Sequence, residues 1–127
     1  MGRLAFDGAL LEAIQAAVVV TDLDGVITAA NGRAEHFYGR SREQLIGHDS
    51  TMLRAGPLPG EVAAEIGAAI LSGRSWEGEF TVRGADGNPL AIHLVDTPAF
   101  DAEGRLVGIV GMAFDVTEYR LGRDDLG

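Results

Sequence analysis

The stretch that decides the fold spans residues 76–117 and reads WEGEFTVRGADGNPLAIHLVDTPAFDAEGRLVGIVGMAFDVT. Three of its segments are rich in β-branched, aromatic and other apolar residues, a pattern typical of β-strands. They are residues 76–83, 90–100 and 106–116. Asp86-Gly87, a dipeptide typical of hairpin turns, separates the first two segments, and Asp101 to Gly104 separates the last two. The stretch therefore predicts a three-stranded antiparallel meander.

The third strand indicates that both faces of this sheet need a cover. Successive side chains point to opposite faces of a strand, and here both alternating sets are apolar. The sets are Ile109, Gly111 and Ala113 on one face, and Val110, Met112 and Phe114 on the other. A sheet with one face in water would alternate apolar with polar residues instead. We therefore expect one face to meet an internal core or cavity, and the other to pack against a helix or a second subunit.

The composition predicts a single soluble, cytoplasmic domain. The chain has 127 residues, of which 46% are hydrophobic, and it has no apolar run near the length of a membrane span. Cysteine is absent, which excludes disulfides, thiolate metal sites and cysteine nucleophiles. The formal net charge is −9, and the ten basic residues are scattered single arginines. This charge pattern argues against nucleic-acid binding and against binding to an anionic membrane.

The rest of the chain predicts elements that can cover the meander. They are a disordered start at residues 1–6, a helix at 7–16, strands at 18–21 and 26–30, helical segments at 31–38 and 41–45, a longer helix at 61–71, and the start of a C-terminal linker helix at 117–127. Ser41 and Gln44 have the spacing of a capping box, and so do Asp115 and Glu118. The helix at 7–16 is too short to be stable alone and must pack on something.

Several short motifs occur in an order that resembles one family. They are Thr21-Asp22-Leu23-Asp24-Gly25, Asn31, Leu45-Ile46-Gly47, Gly73-x-x-Trp76-x-Gly78-Glu79, Asp86-Gly87, Glu103-Gly104, and Asp115-Val116-Thr117-Glu118. In this order the chain resembles a PAS sensor domain. The resemblance implies an α+β fold with a five-stranded antiparallel sheet in the order 2-1-5-4-3, whose short helices and one longer helix cover one face and enclose a pocket. A single domain is then expected at residues 7–120, with its core at 17–116.

The resemblance also implies which residues face the pocket. Alignment with the family gives Val82, Ile92, Leu94, Asp96, Gly111 and Ala113 from the meander, and strand alternation adds Phe80 and Ile109. The opposite wall is expected to consist of Leu45, Met52, Leu53, Ile66 and Ile70. The same residues are compatible with a filled hydrophobic core that binds no ligand.

Asp96 is the charged residue in this set. A buried carboxylate needs a partner, a raised pKa or a different orientation. One interpretation is that Asp96 receives the polar or cationic group of a mainly apolar ligand. The other, which we favour from the sequence, is that Pro98 breaks the strand alternation and lets Asp96 reach solvent.

Flavin chemistry of the light-oxygen-voltage type needs a cysteine, and Ser50 stands at that position of the family pattern. Val82 and Ile92 replace the flavin-facing asparagines and Ala113 replaces the signalling glutamine, which removes the amide groups that would bind the flavin edge. A cysteine-adduct flavin is therefore excluded. Non-covalent FAD binding stays possible, because other PAS domains use different contacts.

Haem is disfavoured as a cofactor. Haem-binding PAS sensors typically use a histidine of the long helix, and residues 61–71 contain none. The three histidines, His36, His48 and His93, are expected at the surface. A colourless metabolite or lipid, or no ligand at all, is the favoured prediction, and no metal site is expected.

The resemblance implies a role in signalling. Such domains pass a signal through their terminal helices to a linked or separate effector, such as a kinase, phosphatase, cyclase or transcription factor. The predicted relay residues are Asp115, Thr117 and Glu118. Because the chain ends soon after them, we expect a sensor cut from a larger protein or a very small stand-alone one.

A rival interpretation is a ligand-free homodimerisation and relay module. Its predicted two-fold interface consists of Leu10, Leu11, Ile14, Val110, Met112 and Phe114. An enzyme is not expected, and no catalytic residue is predicted. Residues 73–78 lack the second glycine of a nucleophile elbow because Glu77 stands there, and the chain has no phosphate-binding loop motif.

Overall fold

The fold is a single antiparallel sheet with helices over one face. The computed structural model describes residues 16–53 and 60–116. Its strands are β1 (Ala17–Asp22), β2 (Ile27–Ala30), β3 (Trp76–Arg83), β4 (Pro89–Phe100) and β5 (Leu106–Asp115). They lie in the order β2-β1-β5-β4-β3 with antiparallel neighbours, so the predicted α+β class is confirmed. The predictions for residues 1–6, for a helix beginning at residue 7 and for a linker helix at 117–127 lie outside the described residues.

The meander has the strand boundaries that the sequence predicts, to within one residue. Its first turn contains Gly87 at a φ of 83°, a conformation that favours glycine, and the Asp86 carboxylate accepts the backbone N–H of Asn88 at 2.9 Å. In the second turn Asp101 accepts the backbone N–H groups of Glu103 and Arg105, each at 2.9 Å. The Arg105 N–H, with further help from the Glu103 N–H, holds the pKa of Asp101 below its usual range. Each hairpin is thus fixed by a carboxylate that caps its own turn.

Asn31 joins the first strand to the first helix. Its side chain is buried, with 1% of the residue exposed. The Oδ1 atom accepts the N–H of Val18 at 3.0 Å and the N–H of Ala34 at 2.9 Å, and the Nδ2 atom donates to the Ala16 carbonyl at 2.9 Å. Asn31 therefore caps the helix and the start of β1 at the same time.

The described helical segments follow the predicted order. They are α1 (Gly32–Tyr38), α2 (Arg42–Leu45), a 3₁₀ turn (Ser50–Leu53) and α3 (Gly60–Leu71). Ser41 and Gln44 form the predicted capping box at the start of α2. Gly39 ends α1 at a φ of 67°, and a Cβ there would lie 2.8 Å from the Ala85 Cα, so glycine allows the helix end to dock on the β3–β4 turn.

Both faces of the sheet bury apolar side chains, as the third strand predicts. On the inner face, Ala17, Ile92 and Ala113 belong to a buried core that also includes Leu45 of α2 and Ala34 of α1. On the outer face, a second cluster consists of buried Val18 and Val20 with Ala29, Val110 and Met112 packed against them. Within the described ranges, no helix is long and apolar enough to cross a membrane.

Candidate ligand cavity

A cavity of about 330 Å³ lies between the inner face of the sheet and the segments that cover it. We call it the sheet–helix cavity. Its lining residues from the strands are Val19, Thr21, Asp22, Val82, Ile92, Leu94, Asp96, Ile109 and Gly111, and those from other segments are Leu23, Gly25, Tyr38, Ser50, Leu53, Ala63, Ile66 and Gly67. Most of these side chains are apolar, and the volume falls at the lower end of the range of about 300–1,000 Å³ for small-molecule sites.

The structure brings together a part of the predicted pocket set. The predicted residues that line the cavity are Leu53, Ile66, Val82, Ile92, Leu94, Asp96, Ile109 and Gly111. Leu45, Ile70 and Ala113 are instead buried in the surrounding protein interior, and Met52 lines a neighbouring cavity. The Phe80 side chain lies outside the described part of the structure. Whether any of these residues contacts a ligand stays a prediction.

The orientation of Asp96 differs from the one that we favoured from the sequence. Asp96 lines the cavity, because β4 keeps its alternation through Pro98, which pairs in unbroken register with Ile109. The register shift in this strand occurs later, between Ala99 and Phe100. The expectation that Pro98 turns Asp96 towards solvent outside the pocket was therefore wrong.

Gly111 makes the space that the Asp96 carboxylate occupies. The two residues are register partners on β4 and β5, and a Cβ at Gly111 would lie 3.1 Å from Oδ1 of Asp96. With a side chain at this position the Asp96 carboxylate would have to shift by a few tenths of an ångström, whereas the Val19 carbonyl oxygen, 3.5 Å from such a Cβ, would only be in ordinary contact. The absence of a side chain at Gly111 thus leaves room for the Asp96 carboxylate in the floor of the cavity.

Tyr38 is a cavity residue that sequence reasoning missed. It ends α1 with only 8% of its surface exposed, and its ring packs against the Phe37 ring at a centroid distance of 5.1 Å. Burial, and then the nearby Asp96 charge, raise the pKa of Tyr38 to about 12. The available signal was the spacing of Ala34 and Tyr38, which places both on one helix face. Tyr38 therefore remains neutral beside the Asp96 carboxylate at physiological pH.

We expect Tyr38 to ionise about two pH units above an ordinary tyrosine. Both folded and unfolded chains keep this group protonated below about pH 10, so folding stability is independent of it there. As the pH rises from about 10 to about 12, the unfolded chain ionises first, and Tyr38 lowers stability by about 1.4 kcal/mol per pH unit. The measurement is a spectrophotometric titration of tyrosinate in the folded protein.

Tyr38→Phe is the comparison for this titration, because the chain contains one other tyrosine, Tyr119. The high-pH phase should be missing from the variant while circular dichroism still reports folded protein. A single ionisation near the ordinary value in the wild-type protein would contradict the buried position of Tyr38.

Comparison with known proteins decides the family. The chain matches the family model described as PAS fold over residues 11–121. It belongs to the PAS family. Among solved structures, the PAS domain of a protein from Colwellia psychrerythraea has 31% identical residues and a TM-score of 0.70, with 87% of this chain and 93% of that chain covered. The family match and the structural similarity therefore cover most of this chain.

Three further similar proteins have lower sequence identity to this chain. A nitrogen fixation regulatory protein from Klebsiella pneumoniae is 25% identical over 108 residues, which are 85% of this chain but 22% of that protein. The structure of an RNA-binding light-oxygen-voltage receptor has a TM-score of 0.77 at 23% identity, covering 91% of this chain and 33% of that one. A light-oxygen-voltage protein from Rhodobacter sphaeroides has a TM-score of 0.74 at 19% identity, covering 86% and 64%. These two structures show the fold alone. The family and the regulatory relative indicate a sensory and regulatory role.

The polar residues that line the sheet–helix cavity have different roles. Oδ1 of Asp22 accepts the N–H groups of Asp24 at 2.9 Å and Val26 at 3.0 Å, so it holds the β1–β2 turn. Ser50, which the sequence predicts to stand where light-oxygen-voltage domains carry their cysteine, lines the cavity. Thr21 lies two residues after Val19 on β1 and faces the cavity from the same side of the strand.

The histidines do not line the sheet–helix cavity. His93 lies on β4 between inward-facing Ile92 and Leu94, and its Nε2 atom is 3.2 Å from a carboxylate oxygen of Glu77. His36 and His48 are exposed. Among the described residues, no group of three or more His, Asp and Glu side chains is arranged to hold a metal ion.

The predicted relay and interface residues fall at the edges of the described structure. Asp115 is the exposed last residue of β5, whereas Thr117 and Glu118 lie outside the described residues, as do Leu10, Leu11 and Ile14. Val110 and Met112 pack in the outer cluster, and Phe114 on the same face is 41% exposed. Relay and dimer formation through these residues stay predictions.

Proposed function

We propose that this PAS domain senses a small, mainly apolar molecule that carries a cationic group, and that binding in the sheet–helix cavity is relayed through β5 to an effector. The observation that carries this proposal is a cavity with an apolar floor and the Asp96 carboxylate set into it above Gly111. The ligand would be colourless rather than a flavin or a haem. The effector would be a linked or separate kinase, phosphatase, cyclase or transcription factor.

The charge of the lining supports a cationic group. Among the described lining residues, the carboxylates are those of Asp22 and Asp96, and there is no arginine or histidine. Asp96 lies in the floor of the cavity, where Gly111 leaves room beside its carboxylate, so we assign it the contact with the cationic group. A partly buried carboxylate attracts a cation more strongly than an exposed one, because less water screens the pair. The neutral Tyr38 ring adds an aromatic face against which a cation can pack.

The position of β5 supports the relay. This strand lines the cavity with Ile109 and Gly111, and it pairs with β1 on one side and β4 on the other. A shift of Asp96 on ligand binding would press on its register partner Gly111 and so on the middle of β5. The strand ends at Asp115, two residues before the predicted start of the linker helix. The regulatory relative is consistent with such an output, but the chain spans about a fifth of that protein's length.

We expect Gly67→Leu to weaken ligand binding without unfolding the domain. Gly67 lines the cavity from α3, and a Cβ there meets no atom within 4 Å, so a leucine can extend into the free space. Replacing a mid-helix glycine also removes a conformational cost of about 0.5–1 kcal/mol. Cyclohexylmethylammonium is a suitable probe, and isothermal titration should show a loss of at least about tenfold in affinity if the cavity is the site. Ala68→Leu, on the exposed side of the same helix, is the matched control.

The same titration separates the contribution of the Asp96 charge to the affinity from the contribution of the cavity itself. Neutral cyclohexylmethanol should bind the wild-type domain about tenfold more weakly than the cation, and Asp96→Asn should remove this preference. Glu77→Gln removes an equal charge from the outer face and should leave the preference intact. Equal binding of the two probes would refute the cationic ligand, while binding unaffected by Gly67→Leu would refute the cavity. Flavin or Soret absorption bands in the purified protein would replace the colourless ligand with a cofactor.

A further inference from the structure

A second cavity, of about 280 Å³, adjoins the first, and Tyr38 and Leu53 line both. We call it the Arg40 cavity. Its other lining residues are Gly39, Arg40, Gln44, Met52, Gly84, Ala85 and Gly87. One part of the wall is apolar, while glycine backbone and the two polar side chains make up the rest. The proposed function does not use this cavity.

This cavity differs from the surrounding surface because it is lined by an arginine, Arg40, that forms no ion pair with any described residue. Arg42 pairs with Glu35, and Arg105 pairs with Asp101 and Glu103, whereas Arg40 has no ion pair in the described structure. Arg40 is nevertheless half-buried. A partly buried arginine without a counter-charge is unfavourable. The chain carries a net charge of −9, yet none of its described carboxylates pairs with Arg40.

The remaining polar groups of the Arg40 cavity also favour an anion. No carboxylate is among its described lining residues. Asp86, which follows Ala85 in the hairpin turn, directs both carboxylate oxygens to Asn88. Gln44 accepts the Ser41 N–H through Oε1 at 2.8 Å, which leaves its Nε2 amide group as a donor. The cavity thus offers hydrogen-bond donors next to an apolar wall.

We propose that the Arg40 cavity binds the carboxylate of a small organic acid. The planar fork of Arg40 would donate two hydrogen bonds to the carboxylate, and the Gln44 amide would donate a third. The apolar part of the acid would pack against Met52 and Leu53. The walls are held in place because Gly39 docks closely on Ala85, so the site exists before the acid binds.

Two-dimensional NMR of the labelled domain tests this proposal with benzoate and its neutral isostere benzamide. Benzoate should shift the backbone signals of Arg40, Ala85 and Gly87 saturably, and benzamide should bind about tenfold more weakly. Arg40→Gln should weaken benzoate binding about tenfold or more, and Arg40→Lys by an intermediate amount, because lysine keeps the charge but loses the fork. Arg74→Gln is the matched control, since Arg74 is exposed and lies outside the cavity.

Three results would overturn the site. Benzoate could bind no more tightly than benzamide, Arg40→Gln could leave benzoate binding unchanged, or the shifts could centre on Ile66 and Gly111 in the sheet–helix cavity. The dispersion of the NMR signals shows whether each variant is folded, and Arg40→Lys keeps the test valid if Arg40→Gln does not fold. Because the probes and residues differ from those of the cation experiment, either site can fail without the other.

Discussion

Asn31→Ala is expected to destabilise the domain by about 3 kcal/mol, because the buried Val18 N–H and Ala16 carbonyl at the start of β1 lose their hydrogen bonds to this side chain and α1 loses its side-chain cap. The alanine removes the acceptor of the Val18 N–H and the donor to the Ala16 carbonyl. The Ala34 N–H loses its side-chain acceptor but still donates to the Asn31 backbone carbonyl at 3.1 Å. Water cannot easily replace the side chain, since only 1% of Asn31 is exposed. Chemical denaturation followed by circular dichroism measures the loss as a lower midpoint at constant slope.

Ser41→Ala is the control for a cap without burial. Ser41 accepts the Gln44 N–H at 3.2 Å at the exposed start of α2, and its loss should cost about 1 kcal/mol. Asn31→Asp keeps the acceptor and loses the donor to Ala16, so we expect a destabilisation that also grows as the buried carboxyl ionises. If Asn31→Ala cost no more than Ser41→Ala, the link between β1 and α1 would not depend on this side chain.

Local chemistry explains why the sequence predicts the meander so well. The alternation of the strands and the turn residues Asp86, Gly87 and Asp101 act within a few residues of one another, and the structure satisfies them locally. The Ser41–Gln44 capping box is local in the same way. The double role of Asn31 was beyond such reasoning, because Val18 and Ala16 are 13 and 15 residues away.

The site was predicted only in part because it depends on register between distant segments. Alternation assigns Leu94 and Asp96 to one face, but only the pairing of Asp96 with Gly111 shows that the carboxylate has room to stay there. Proline suggested a break at Pro98, yet the strand accommodates it, since proline is tolerated where its missing N–H is not needed by the ladder. In β1 the run of three valines gives no sign of which side chains face the cavity.

Tyr38 and Arg40 show what strand patterns miss. Both lie at the end of α1, whose direction is fixed by the contact of Gly39 with Ala85, a residue more than forty positions later in the chain. A tyrosine at a helix end and an isolated arginine are ordinary in sequence. They become candidates for binding only when the inner face of the sheet is placed against Tyr38 in the first cavity and the β3–β4 turn against both residues in the second.

Gly108→Ala is expected to destabilise the domain by about 3 kcal/mol, at the upper end of the usual cost of overpacking. Gly108 is buried on β5 between Asp22 of β1 and Ala99 of β4, and a Cβ there would overlap the carbonyl oxygen of Thr21. Backbone cannot rotate away as a side chain can, so β1 and β5 must separate locally. Since Thr21 and Ile109 line the sheet–helix cavity, the same movement would distort its floor.

Gly67→Ala is the matched substitution with the opposite expected sign. It adds the same methyl group in the interior of α3, where no atom lies within 4 Å, and should stabilise the domain by about 0.5–1 kcal/mol. Equilibrium denaturation gives the free energy of unfolding of both variants. Gly108 is the glycine that the close approach of two strands requires, whereas Gly67 leaves open space beside the cavity. A neutral result for Gly108→Ala would mean that β1 and β5 can move apart freely, and β5 could then hardly transmit a shift of Asp96 to the end of the strand.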